Sequence, residues 1–217
     1  MPHGWIILDK PLGLGSTQAV AAVKRVCREA GLGKVKVGHG GTLDPLATGV
    51  LPIALGEATK LTGRMLNGDK TYAFTVAFGA QTDTLDLEGQ VIAESSVRPT
   101  MAEIEAVLPR FTGPIEQVPP AYSALKVDGQ RAYDLARAGE AVAMLARAIT
   151  IHDLSICYPR ECGDPSPAGA SIHSQELDFR VRGKDSDRPL EEITLSAHVS
   201  KGTYIRSLAR DIAHAAG

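Results

Sequence analysis

A single carboxylate, Asp44, stands in unusual company in this 217-residue chain. Its neighbours Leu43, Pro45, Leu46 and Ala47 are apolar or neutral, and Gly38, Gly40 and Gly41 precede it. Glycines let a backbone take positive φ and let a ligand come close, so the loop suits a carboxylate that acts as nucleophile or base. The same side chain could instead cap the turn over 45–48, because Asp-Pro commonly opens turns. His39, in the same loop, reads either as a substrate contact or as a surface hydrogen-bonding residue. Tyr72 opens a strand, where it is either a core aromatic or a platform for an unpaired base, worth about 1–3 kcal/mol per stacked base. Arg206 falls in the first turn of the last helix, where a cation is disfavoured by about 0.3–1 kcal/mol. It therefore asks for an anion, which a surface acid or a semi-buried Asp44 could supply.

The elements that must carry these residues follow from periodicity. Trp5 to Asp9 is a short apolar run with strand character. Ser16 can cap a helix whose apolar positions Val20, Val23, Cys27 and Ala30 keep helical spacing, with Gly31 as its stop. Val37 to Pro45 reads as a glycine-rich loop. Tyr72, Phe74, Val76 and Phe78 alternate with small residues, as a strand does, and a turn at Glu88-Gly89 leads to a second strand near 90–94 in a hairpin. Thr100 and Glu103 have capping-box spacing ahead of a helix that Pro109 ends. A turn at Asp128-Gly129 precedes a short helix running toward Gly139. Ile149 and Ile151 share one phase while Leu154 and Ile156 take the other, which predicts a bulge. Alternation returns at Leu177, Phe179 and Val181, and again at Ile193, Leu195, Ala197 and Val199. Ile205, Leu208, Ala209, Ile212 and Ala216 form the stripe of a final helix. Interspersed helices and hairpin-rich strands give an α+β layout with a mixed, mostly antiparallel sheet.

Hydrophobic residues make up 44% and charged residues 22%, ordinary for a globular protein. The amino-terminal stretch lacks the pattern of a signal peptide, and no apolar run approaches the roughly 20 residues of a membrane helix, so a cytoplasmic location is expected. The net charge of −2 is uneven: residues 1–36 hold six bases against two acids, and residues 153–192 nine acids against five bases. A local basic patch can hold a phosphate backbone, although such a face is also often merely solvated. Cys27, Cys157 and Cys162 read as free thiols; with His152 or His173 nearby, the last two lack the second half of a zinc-ligand spacing. No Ser/His/Asp ordering, paired-carboxylate cleft or HExxH suggests a hydrolase.

Five ordered stretches carry a resemblance. Gly38-His39-Gly40-Gly41-Thr42-Leu43-Asp44-Pro45-Leu46-Ala47-Thr48-Gly49-Val50-Leu51-Pro52 resembles the catalytic motif of the TruB-type tRNA pseudouridine synthases. It is accompanied by Leu8-Asp9-Lys10-Pro11 with Gly13 and Ser16, by Asp69-Lys70-Thr71-Tyr72, by Tyr122-Ser123-Ala124-Leu125-Lys126, and by Ser200-Lys201-Gly202-Thr203-Tyr204-Ile205-Arg206. Gly40 departs from a frequent threonine, and Gly15 from an expected threonine or serine.

The resemblance implies a pseudouridine synthase fold, one catalytic domain over 1–217, and an RNA-gripping thumb near 118–150. It implies a mobile loop insertion at 158–190 and the absence of the family's carboxy-terminal RNA-binding part. Asp44 would be the catalytic aspartate and Arg206 its ion-pair partner. Tyr72 would stack on the extruded uracil, His39 would hold the T-loop, and Tyr204 would line the pocket. The implied activity isomerises the uridine conventionally numbered 55 in the tRNA T-loop. It needs no metal or organic cofactor, and the chain would act as a monomer on the tRNA T-stem-loop, with neither DNA nor membrane as partner. Two alternatives are a non-catalytic T-loop-binding module and a guide-RNA-dependent relative.

Overall fold

The computed structural model describes residues 2–123, 125–127, 129–139, 143–157 and 187–217. Chain contacts divide it into two compact units, one built from residues 1–68 and the other chiefly from residues 69–157 and 187–217. The alternation expected over 177–181 and most of the insertion expected at 158–190 lie outside the described residues. Among the described residues no helix is long and apolar enough to cross a membrane.

In the first unit, strands β1 (Gly4–Lys10), β2 (Val37–His39) and β3 (Gly49–Leu55) form an antiparallel sheet in the order β1-β3-β2. Helix α1 (Ser16–Glu29) covers it: Ala19, Val20 and Cys27 join Val37, Leu51, Ile53 and Leu55 in a buried cluster. The sequence reading needs correction here. Val37, Gly38 and His39 are strand rather than loop, and β3 was not anticipated. Its segment has no alternation and contains Pro52, ordinarily a sign against a central strand. Pro52 is tolerated because its carbonyl faces the β2 side, where it accepts from Gly40 N–H at 2.8 Å. Its own nitrogen faces that same side, opposite Gly40 and just where β2 ends at His39, so the missing N–H ends the ladder there rather than interrupting it. Gly15, not Ser16, is the residue that precedes α1, and Gly31 (φ +71°) ends it with the backbone bonds of a left-handed cap. A short helix α2 (Thr62–Asn67) closes the unit.

The second unit is built on a four-stranded antiparallel sheet. Its strands are β4 (Lys70–Ala77), β7 (Gly113–Gln117), β10 (Arg147–Ile156) and β11 (Glu192–Val199), in the order β4-β11-β10-β7. Its core face carries Val76, Ile149, Ile151, Leu154, Ile193, Leu195, Ala197 and Val199, covered by helices α3 (Met101–Val107) and α5 (Ile205–Ala216) through Ile104, Leu208 and Ile212. The phase switch in β10 is a real irregularity, with the register shifting between Ile151 and Asp153. The capping box forms: Thr100 Oγ1 accepts from Glu103 N–H at 3.3 Å, and Thr100 N–H donates to Glu103 Oε2 at 2.7 Å. The second strand of the expected hairpin, β6 (Val91–Glu94), pairs with the short β5 (Ala80–Thr82) and not with β4. Strands β8 (Lys126–Val127) and β9 (Gln130–Arg131) lead into α4 (Ala132–Arg137), as the Asp-Gly turn predicts. Cys27 is a free, buried thiol as expected, whereas Cys157, also expected to be free, is disulfide-bonded. Every strand pairing in the two units is antiparallel among the described residues, and the α+β expectation holds.

Candidate active site

His39 and Asp44 belong to the first unit; Tyr72, Tyr204 and Arg206 belong to the second. In the first, the segment from Gly40 to Thr48 joins two strands of one sheet, and Asp44 stands near its middle, exposed. A polypeptide loop of this length is held only if its backbone finds partners, and the residues on either side of Asp44 do. The Ser16 hydroxyl donates to Leu43 C=O and accepts from Leu43 N–H, both at 2.9 Å, while Leu43 packs against the α1 cluster. Pro45 C=O accepts from Gly13 N–H at 2.8 Å and from Lys10 Nζ at 3.3 Å. A turn is closed by Ala47 N–H donating to the Asp44 carbonyl at 3.0 Å.

Lys10 is the site residue that inspection of Asp44 alone does not single out. Its side chain is wholly buried, and Nζ also donates to Pro11 C=O at 3.0 Å and Leu14 C=O at 2.6 Å. Burial pushes its pKa below the usual lysine value, and the Asp44 carboxylate, through its charge, pulls the other way. The signal was a lysine closing an otherwise apolar strand, a place where a charge must find partners. His39, the last residue of β2, is half-buried, and its Nδ1 is enclosed without a hydrogen-bond partner.

Gly40 departs from the family pattern for a packing reason. A Cβ there would stand 2.7 Å from Met65 Cβ and 3.5 Å from Trp5 Cζ3.

In the second unit, Tyr204 precedes α5, and its backbone is gripped from both sides by buried Gln117. Tyr204 N–H donates to Gln117 Oε1 at 2.8 Å, and Gln117 Nε2 donates to Tyr204 C=O at 3.1 Å. Ser207 Oγ adds a bond to Val118 C=O at 2.8 Å. The start of α5 is thereby fixed, and Arg206 with it. Tyr72 is half-buried on the core face of β4 and packs against the cluster there.

No acid lies in the first turn of α5, so the anion that Arg206 requires comes from elsewhere. Asp86 supplies one, with Oδ2 at 3.3 Å from Arg206 Nη1 and side chains only 17% and 20% exposed. Sequence reasoning missed Asp86; its trace was an Asp-rich turn, Thr82 to Gly89, with more acid than a hairpin needs. The guanidinium also donates to Thr84 C=O at 2.7 Å and Tyr122 C=O at 3.0 Å. Presenting both Thr84 C=O and Asp86 to one cation bends the turn sharply. Leu85 takes φ +60°, a left-handed conformation that non-glycine residues rarely adopt. The Thr84 hydroxyl and Glu88 N–H fix the other carboxylate oxygen, Oδ1, at 2.6 and 3.0 Å. Arg206 and Asp86 border a cavity of about 580 Å³ whose apolar wall includes Val76, Phe78 and Leu85. Among the described residues, no group of three or more His, Cys, Asp or Glu is placed to hold a metal ion.

Comparison with known proteins bears on this arrangement. The model of the TruB family pseudouridylate synthase (N terminal domain) matches residues 28–163. The tRNA pseudouridine synthase B of Novosphingobium aromaticivorans is 61% identical over the whole chain, which spans 64% of that protein. Its counterpart in Zymomonas mobilis is 59% identical over 98% of the chain and 60% of its own length. The chain thus spans less than two thirds of these curated relatives. Among solved structures, one of a Cbf5–Nop10–Gar1 complex contains a chain of similar fold, with a TM-score of 0.62 and 26% identity over 99% of this chain and 44% of the other.

Proposed function

The chain belongs to the TruB family of pseudouridylate synthases, and from that premise we propose that it converts uridine to pseudouridine in the T-loop of tRNA, at the position conventionally numbered 55. It does so in the cytoplasm as a monomer, with neither metal nor organic cofactor. One observation carries the reading: an exposed carboxylate, Asp44, on a family-matching loop whose flanking residues are pinned by Lys10 and Ser16. Such a loop holds a reacting group in one geometry, which is what catalysis by positioning requires.

The chemistry asks for little else. Isomerisation breaks N1–C1′, turns the uracil and joins C5 to C1′; the proton lost at C5 is matched by one gained at N1. No oxidant, reductant or net water enters, and a carboxylate acting as nucleophile or base suffices. The uridine is hidden in a stacked loop and must be extruded. Tyr72 then offers a ring for the freed uracil, Tyr204 lines its pocket, and His39 holds the reorganised T-loop. Arg206 is the proposed ion-pair partner of the catalytic carboxylate, its own position set by Asp86 and two carbonyls.

The test is a T-arm stem-loop, incubated with the protein and mapped for pseudouridine. Product is expected on a bare transcript with no guide RNA, which a guide-dependent enzyme would not give. Asp44→Asn is expected to give no detectable product while binding RNA within a few-fold of the unsubstituted chain. Undiminished turnover in that variant overturns the assignment, and binding without product in the unsubstituted chain favours a T-loop-binding module instead.

A further inference from the structure

Arg206 is held by two separate pieces of the second unit. One is the Thr82 to Gly89 turn, through Thr84 C=O and Asp86; the other is the segment around Tyr122, through its carbonyl. A guanidinium is a rigid planar fork, so its orientation depends on the spacing between the oxygens that receive it. What sets that spacing is a contact that does not touch Arg206. The Tyr122 hydroxyl donates to Asp83 Oδ2 at 3.2 Å, and Asp83 Oδ1 accepts from Gln90 N–H at 2.9 Å. One carboxylate therefore ties the closing strand of the turn to the segment that presents the second carbonyl.

The Tyr122 side of this tie is itself braced. Ser123 C=O accepts from Tyr133 N–H at 3.0 Å, and the Tyr122 and Tyr133 rings meet edge to face at 6.1 Å. The Arg137 guanidinium lies over the Tyr133 ring at 4.4 Å from its centre. Tyr122 is thus anchored to α4 as well as to the turn. Burial and the Asp83 carboxylate both raise the Tyr122 pKa, so the phenol keeps its proton and remains a donor at any pH at which such an enzyme works.

We propose that Tyr122 and Asp83 are a positioning pair for Arg206: their hydrogen bond sets the distance between the two segments whose oxygens orient the guanidinium, and so governs the chemical step rather than RNA affinity. This rests on the isomerase reading. Tyr122→Phe removes one oxygen atom and keeps the ring against Tyr133. Asp83→Ala removes the tie from its other end. Asp83→Asn preserves it, because the amide can donate to the phenol oxygen while its carbonyl still receives Gln90 N–H.

The experiment measures single-turnover pseudouridine formation on a T-arm stem-loop, with the Kd of the same RNA measured in parallel. Tyr122→Phe and Asp83→Ala are each expected to slow the chemical step about 10-fold with Kd within about twofold, as expected for one hydrogen bond acting on the transition state. The double variant Tyr122→Phe/Asp83→Ala should be no slower than the worse single one, since both remove the same bond, and Asp83→Asn should stay within about twofold of the unsubstituted rate. Nitrogen-15 NMR of the Arg206 side chain should show faster rotation about its Nε–Cζ bond in Tyr122→Phe, a readout independent of turnover. Unchanged rate in Tyr122→Phe, losses confined to Kd, multiplicative losses in the double variant, or an unaltered Arg206 signal would each overturn the pairing. If the unsubstituted chain makes no product while its Arg206 signal responds to Tyr122→Phe, the isomerase reading fails and the structural tie stands.

Discussion

Replacing Lys10 with methionine keeps the length and most of the volume of a fully buried side chain while deleting its ammonium group. Three hydrogen bonds disappear, to Pro11, Leu14 and Pro45 carbonyls at 3.0, 2.6 and 3.3 Å. Bonds from a charged donor contribute about 1.5–3 kcal/mol each, and a carbonyl left buried without a partner costs about 1–3 kcal/mol. Against this stands the desolvation of the ammonium, several kcal/mol in its own right. Pro45 C=O also keeps its bond from Gly13 N–H. The balance is a net destabilisation of about 2–4 kcal/mol, confined to the first unit. Trp5, the only tryptophan and a residue of β1, reports on that unit, so urea unfolding followed by its fluorescence is the assay.

The dependence on pH gives the sign that separates this account from a generic packing loss. Burial holds the folded-state pKa of Lys10 below 10.5, with Asp44 opposing only in part. Between the folded value and 10.5 the unfolded chain binds more protons, so the stability of the unsubstituted protein gains with rising pH there. Lys10→Met lacks the group and lacks the gain. The stability gap between the two proteins should therefore widen as pH is raised toward 10.5. Equal stabilities at neutral pH, or a gap that narrows with alkali, would refute the buried-ammonium argument. Activity should fall as well, up to about 100-fold, because Asp44 loses a constraint on its neighbour Pro45.

Asp86→Asn should lower stability by about 1–3 kcal/mol, since it removes a carboxylate paired with a largely buried guanidinium at a helix N-terminus. Thermal unfolding followed by far-ultraviolet circular dichroism checks it, and an unchanged Tm would mean that the Asp86 charge contributes no net stability. Gly40→Ala should cost about 1–3 kcal/mol by overpacking against Met65 Cβ, read by Trp5 fluorescence in urea. The double variant Gly40→Ala/Met65→Gly, which removes that Cβ, should lose less than the sum of its two single substitutions, and strict additivity would place the strain elsewhere.

How much of this was legible depended on whether a residue's role was local. The bulge in β10 could be read because side chains on a strand alternate strictly, so an extra residue must reverse the phase of all that follow, as Leu154 and Ile156 do. The stripe of α5 and the alternation of β11 were legible for the same reason, each burying one face. Strand β3 was not, because a central strand under a helix loses its alternation and Pro52 argued the wrong way; only its partner could show that the missing N–H falls at the end of the ladder. Ser16 was misread because its local use as a cap competes with a tertiary use, the bridge to Leu43, and a sequence ranks only the first. The types of the candidate site residues were visible in their motifs. Lys10, Asp86 and Gln117, which fix backbone and cation in place, act across 35 to 120 positions of chain or bind main-chain atoms, and neither leaves a periodic trace.

Both units solve the same problem in the same way. Each carries a cation in a confined place, Lys10 in one and Arg206 in the other, and each supplies it with backbone carbonyls from loops that lie next to a candidate site residue or carry its counter-ion. A carbonyl is set by the path of the chain and not by side-chain rotamers, so a cation received by several of them fixes loop geometry as firmly as it is itself fixed. Asp44 itself stays exposed while its neighbour Pro45 accepts the lysine's hydrogen bond. Placing the anchoring bonds on Leu43 and Pro45 is what allows a nine-residue connection, Gly40 to Thr48, to be held in place with the Asp44 side chain exposed between them.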